Sequence, residues 1–218
     1  MRRPNGQQAI RLLPFAFCVA CLCLSWQARA DVTCTPSKPL PDQNRTVMKH
    51  RPPPKGVQPH AATIADMLAW PLPPGMKRKM RKTDSVMDPR EEQAYVVEGN
   101  LWRVKLSEDD CDFHLELGPA GGRKSDERVV AEIPQGAPFL AAREALIAAI
   151  PEAGTLKPDE DAKLKANQTG RVRITGYAFC DLEHYTPKNL KQGTGHGGKR
   201  VMTLWEIHPV WKIEFLKK

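Results

Sequence analysis

At 218 residues and a formal net charge of +8, the chain has room for one or two domains. The charge is uneven: residues 49–90 hold nine Lys/Arg against three Asp/Glu, whereas residues 91–218 hold eighteen against twenty. The basic excess belongs to the N-terminal part, which weakens any step from a basic chain to nucleic-acid binding.

Residues 1–30 have the layout of a secretory signal. Arg2, Arg3 and Arg11 stand without an acid near the start, Leu12 to Trp26 is apolar, and Ala28-Arg29-Ala30 supplies the small-x-small pattern of a cleavage site. The apolar run of 15 residues falls short of the ~20 that span a bilayer. The expectation is export to the periplasm or beyond, cleavage near Ala30, and a mature chain with no transmembrane span. Cleavage lowers the net charge to +4, because four arginines leave with the signal. Cys18, Cys21 and Cys23 leave too. Cys34, Cys111 and Cys180 remain where disulfides persist, which permits one bridge and a spare thiol, or pairing with another chain.

Residues 31–90 read as a proline-rich, basic linker. Pro36, Pro39, Pro41 and Pro52-Pro53-Pro54 oppose both helix and central strand, so 31–60 is expected to be a disordered, extended and solvated leader. Residues 61–70 fit one short amphipathic helix, with Ile64, Met67 and Leu68 on one face and Pro71 as its stop. The run from Lys77 to Lys82 (Lys-Arg-Lys-Met-Arg-Lys) reads as a solvated tether, with contact to an anionic lipid, glycan or nucleic acid as the sharper alternative.

Residues 91–218 form the folded domain. Tyr95 to Leu106 is β-rich around Gly99, the first of two mid-strand glycines that mark bends. In Cys111 to Leu117, Phe113, Leu115 and Leu117 alternate with Asp112, His114 and Glu116, so one face is apolar and the other ionisable. Arg128 to Ile133 is a third strand. Pro138 to Ile150 repeats Phe139, Ala142, Leu146 and Ile150 at helical spacing. Arg171 to Asp181 is a fourth strand, kinked at Gly176. After a glycine-rich loop over 182–200, Thr203 to Phe215 is a fifth. Three strands, a helix and two strands resemble the OB-fold, a mainly β, five-stranded Greek-key barrel with its helix between strands three and four. The strings Asp112-Phe113-His114-Leu115, Val130-Ala131-Glu132-Ile133-Pro134, Thr175-Gly176-Tyr177 and Glu206-Ile207-His208-Pro209-Val210 also resemble a group of exported bacterial proteins with such a C-terminal domain. That likeness implies fold and export and no particular reaction.

In an OB-fold the ligand face lies on strands two and three, flanked by the loops joining strands one to two and four to five. The candidate ligand-binding residues are therefore Asp112, His114, Glu116, Asp181, His184, Lys188, Lys191, Arg200, Glu206 and His208. His114, His208 and Asp112 are the candidate ligands for a divalent metal, Zn2+ or Mn2+. The bland alternative is that these are outward polar residues of half-buried strands. Cys111 and Cys180 are expected at one end of the barrel, bridged, with Cys34 free or disordered; the alternative is that Cys34 pairs with one of them and pins the leader to the barrel. The leading functional expectation is a non-enzymatic binding module, its groove taking an anionic polymer (nucleic acid or acidic glycan) or a protein partner in the cell envelope. The alternative is a metal-dependent, nuclease-like hydrolase that uses the Asp/His/Glu cluster. Oligomeric state is not legible.

Overall fold

The structure, a computed structural model, describes residues 32–38, 45–76, 85–124, 126–168, 170–185 and 200–217. The expected signal, the Lys77–Lys82 run, and Lys188 and Lys191 of the long loop lie outside the described residues. In chain order the elements are α1 (Thr46–Lys49), β1 (His60–Thr63), α2 (Ile64–Ala69), β2 (Ala94–Leu106), β3 (Phe113–Pro119), β4 (Arg128–Ile133), α3 (Leu140–Ala149), β5 (Arg171–Cys180) and β6 (Val201–Phe215). The sheet runs β1-β2-β3-β4-β6-β5, and β2 pairs with β5 to close it. β4 and β6 run parallel, and the other barrel pairs are antiparallel. This is the OB-like barrel expected, with α3 between its third and fourth strands.

The alternation in the sequence explains the core. Phe113, Leu115 and Leu117 of β3, Val129, Ala131 and Ile133 of β4, and Trp205 and Ile207 of β6 point into the barrel and are buried. Phe139, Ala142, Leu146 and Ile150 bury the inner face of α3 against them. Strands β2 and β5 cross close neighbours at their glycines. A Cβ on Gly176 would stand 2.3 Å from Ile207 Cγ2 and 2.6 Å from the carbonyl oxygen of Pro209. The β5–β6 register shifts on both sides of Gly176, so the bend and the close approach coincide.

Three expectations change. The predicted helix over 61–70 is half strand: Thr63 accepts from the Asp66 N–H at 3.0 Å while Asp66 Oδ2 accepts from the Thr63 N–H at 2.8 Å. This capping box starts α2 at Ile64 and leaves His60–Thr63 to pair in parallel with β2. The proline-rich leader is in part packed on the barrel, with Val32, Arg45, Met48 and Lys49 buried, while Lys55 to Gln58 are exposed as expected. The disulfide joins Cys34 to Cys111, not Cys111 to Cys180, and Cys180 is a buried free thiol. The strand order gives the reason: β3 and β5 are not neighbours, since β2 separates them on one side and β4 and β6 on the other. The leader, laid over the start of β3, brings Cys34 there instead.

Two outcomes check this packing. Gly176→Val is expected to lower stability by roughly 3 kcal/mol, read by chemical denaturation, because the added atoms meet backbone and a core side chain. Non-reducing peptide mapping is expected to recover a Cys34–Cys111 cross-linked pair, and a Cys111–Cys180 pair would contradict the leader's placement.

A buried carboxylate and imidazole cluster as the candidate functional site

Strand register assembles the cluster. His114 of β3 pairs with Glu132 of β4. Val130 of β4 pairs in parallel with Glu206 of β6, which carries Glu132 alongside His208 two residues on. Asp112 precedes β3 on the same outward face as His114. All of these side chains point out of the barrel, where alternation puts polar groups, yet they are buried because the leader lies over them. Asp112, Glu206 and His208 are 0% exposed.

His208 stands at the centre. Its Nδ1 lies 3.0 Å from Glu206 Oε1 and 3.0 Å from Glu132 Oε2. Its Nε2 lies 3.2 Å from Asp112 Oδ2. Both atoms are buried, and neither has a polar partner other than the other. Glu132 also holds His114, its Oε1 being 2.8 Å from the Nδ1 of that ring. One ligand atom each from Asp112, Glu132 and His208 falls within 4.8 Å of the others, a spacing that suits a single ion. Phe179 of β5 closes one side, its ring centroid 5.5 Å from the imidazole.

The electrostatics are those of too much negative charge in too little water. Asp110, Asp112, Glu132, Asp181 and Glu206 are all buried. Against these five carboxylates stand Lys49, whose Nζ is 4.0 Å from Asp110 Oδ2, His114 and His208, with His50 near Asp112 and His184 3.6 Å from Asp181. Burial, then the charge of Glu132, pushes the Glu206 carboxyl up to about 8. Burial, then the charge of Asp112, pushes Asp110 up to about 6. Burial opposes the ionised form of Glu132 as well, but hydrogen bonds from His114 and His208 outweigh it and hold that carboxyl well below its ordinary range. Burial likewise disfavours charge on His208 and Lys49, and the surrounding carboxylates outweigh it, raising both well above their ordinary values.

The leader is pinned over this cluster by its own buried pair. Arg45 donates to both oxygens of Glu91, at 2.6 and 2.9 Å, and to the carbonyl of Cys180 at 3.0 Å. Glu91 in turn accepts from the backbone N–H of Cys180 at 3.0 Å. The guanidinium of Arg51 stacks 3.7 Å from the centroid of the Tyr177 ring.

Of the sequence-predicted residues, Asp112, His114, Glu206 and His208 converge. Glu116 does not: it accepts from Arg103 at 3.0 Å and from Arg128 at 2.6 Å, in a separate pair network. Asp181 lies near enough to act on the charges of Lys49 and Glu206, and His184 stands 3.6 Å from Asp181 at the rim. Arg200 is exposed beside the start of β6. Glu132 is the member of the cluster that sequence reasoning missed. Its signal was an acid in the otherwise apolar run Val129-Val130-Ala131-Glu132-Ile133, and only the β3–β4 register pairs it with His114. Comparison with known families, curated proteins and solved structures finds no match for this chain. Among the described residues no helix is long and apolar enough to cross a membrane.

The titrations have a consequence for stability. A carboxyl whose folded value is raised opposes folding as the pH climbs from its free value to its folded one, here from 4.5 to about 8 for Glu206. His208, raised from 6.5, adds stability below that value and loses it as the pH rises further, so both act in one direction. The metal-free protein is therefore expected to lose stability steadily from about pH 4.5 to about pH 8. Glu206→Gln is expected to flatten that decline and to melt above the wild type at pH 8, measured as thermal midpoints across the series.

Proposed function

We propose that this protein is an exported, non-enzymatic binding barrel for a divalent cation, held by Asp112, Glu132 and His208. The observation that carries the reading is the pair Asp112 Oδ2 and His208 Nε2, both buried, 3.2 Å apart and with no partner but each other, inside a ring of carboxylates. A cation between them accepts lone pairs from both and offsets the carboxylate charge that otherwise has to be met by protons. With two carboxylates and one imidazole as donors, Mn2+ and Zn2+ are the ions that fit. Glu206, on the Nδ1 side of His208, then plays the part of the partner that orients a ligating imidazole.

Retention of an ion accords with this site better than the other expectations do. A polyanion is repelled by five buried carboxylates, and the nearby Arg103 and Arg128 are already taken up by Glu116. Metal-dependent hydrolysis needs a coordination position that a substrate reaches, whereas these ligands lie beneath the leader. The signal-like layout of residues 1–30 supports a site outside the cytoplasm.

Isothermal titration of the mature, oxidised protein with Mn2+ is expected to give one ion per chain. Asp112→Asn and Glu132→Gln are each expected to weaken binding by more than about tenfold. Glu98→Gln, which alters an ion pair with Arg171 and Arg173 on another face, is expected to bind as the wild type does. No uptake of Mn2+ or Zn2+, or uptake indifferent to Asp112 and Glu132, would overturn the proposal.

A further inference from the structure

Resting on that cation site, we propose that the Cys34–Cys111 disulfide is its redox latch: closed, it straps the leader beside Asp112 and retains the ion; opened by a dithiol, it releases the strap and the ion with it. The bridge is not needed to close the barrel. It spans 77 residues of sequence to tie a leader segment to the residue immediately before a ligand. Cys111 sits at φ 64, a conformation a non-glycine residue adopts at a cost, and its carbonyl accepts from Arg143 at 3.1 Å.

Gln135 joins the two sides. Its backbone N–H donates to Asp112 Oδ1 at 3.3 Å, and its side-chain amide donates to the carbonyl of Cys34 at 3.3 Å. The position of the Asp112 carboxylate and the position of the strap are thus coupled through one residue. Further ties of the segment 32–38 lie towards solvent. Ser37 and Lys38 donate their backbone N–H groups to the carbonyls of Glu108 and Asp109, and their side chains meet Asp109 at the surface. Exposed contacts of this kind hold a segment weakly. Val32 is buried beside them, and Lys38 Nζ lies 3.9 Å from Glu183 Oε1.

The chemistry is thiol–disulfide exchange. Cys34 is half-buried and Cys111 fully buried, so an incoming thiolate attacks the sulfur of Cys34. The S–S bond breaks, and Cys111 leaves as a thiolate that takes a proton from water. The second thiol of the reductant then attacks the mixed disulfide, freeing the Cys34 thiol and closing the reductant's own disulfide. Two electrons pass from the dithiol to the bridge.

The test follows Mn2+ release by electron paramagnetic resonance after mixing with excess chelator. Three samples of the full mature chain are compared: oxidised, reduced with dithiothreitol and then desalted without air, and Cys34→Ser. The expected result is release at least about tenfold faster from the reduced and Cys34→Ser proteins, with near-ultraviolet circular dichroism retained and slow release restored on reoxidation. Equal release rates would overturn the latch and leave the cation site standing. Loss of the near-ultraviolet signal on reduction would also overturn it, because the bridge would then be a staple of the whole fold. No Mn2+ on the oxidised protein would overturn the cation site itself.

Discussion

Three carboxylates buried around one imidazole, with two more buried beside them, are the constraint on which the rest of the arrangement depends. Charges removed from water are costly unless they are paired, protonated or coordinated. Glu132 is pulled down by two histidines while Glu206 is pushed up, so the two glutamates share their environment unequally and one carries a proton near neutrality. Lys49 reaches in from the leader, and His208 draws on three acids at once. Protons meet the excess charge when nothing else does. A divalent ion in the proposed site would meet it with coordinate bonds instead.

The barrel supplies the rigidity that such a site requires. Its inner face is filled by aliphatic and aromatic side chains, so the outward residues of β3, β4 and β6 are held at fixed register. What converts an outward polar face into an enclosed site is the leader. The bidentate Arg45–Glu91 pair, the stacking of Arg51 on Tyr177 and the Cys34–Cys111 bridge attach it at three places. The face that comparable barrels use for ligands is thus covered by the chain's own N-terminal part, and the candidate ligand shrinks from a polymer lying in a groove to an ion lying under a lid.

Much of the barrel was legible because period-two alternation and mid-strand glycines are local signals. Phe113-His114-Leu115-Glu116-Leu117 announces both its core face and its polar face, and Gly99 and Gly176 mark the two strands that bend and pair. The site was legible only in part. Asp112, His114, Glu206 and His208 stood out as ionisable residues in strands, but whether they meet depends on register, which alternation leaves open. Glu132 was hidden for that reason, and Glu116 misled because it shares a strand face with His114 while pairing with Arg103 and Arg128. The leader was misread for a different reason. Prolines oppose regular structure, but they do not oppose docking, and the partners of Arg45 lie 46 and 135 residues away in sequence. The disulfide followed from the same error, since Cys34 reaches Cys111 only when the leader is laid on the barrel.

The central claim is that the cluster is a place for an ion and not a self-contained ion-pair network centred on a protonated His208. Anomalous diffraction at the manganese edge, from crystals of the oxidised protein grown with Mn2+, separates the two most directly. The account predicts one strong peak bonded to Asp112, Glu132 and a ring nitrogen of His208. A map with no peak there, and His208 still within hydrogen-bonding reach of all three acids, would contradict it.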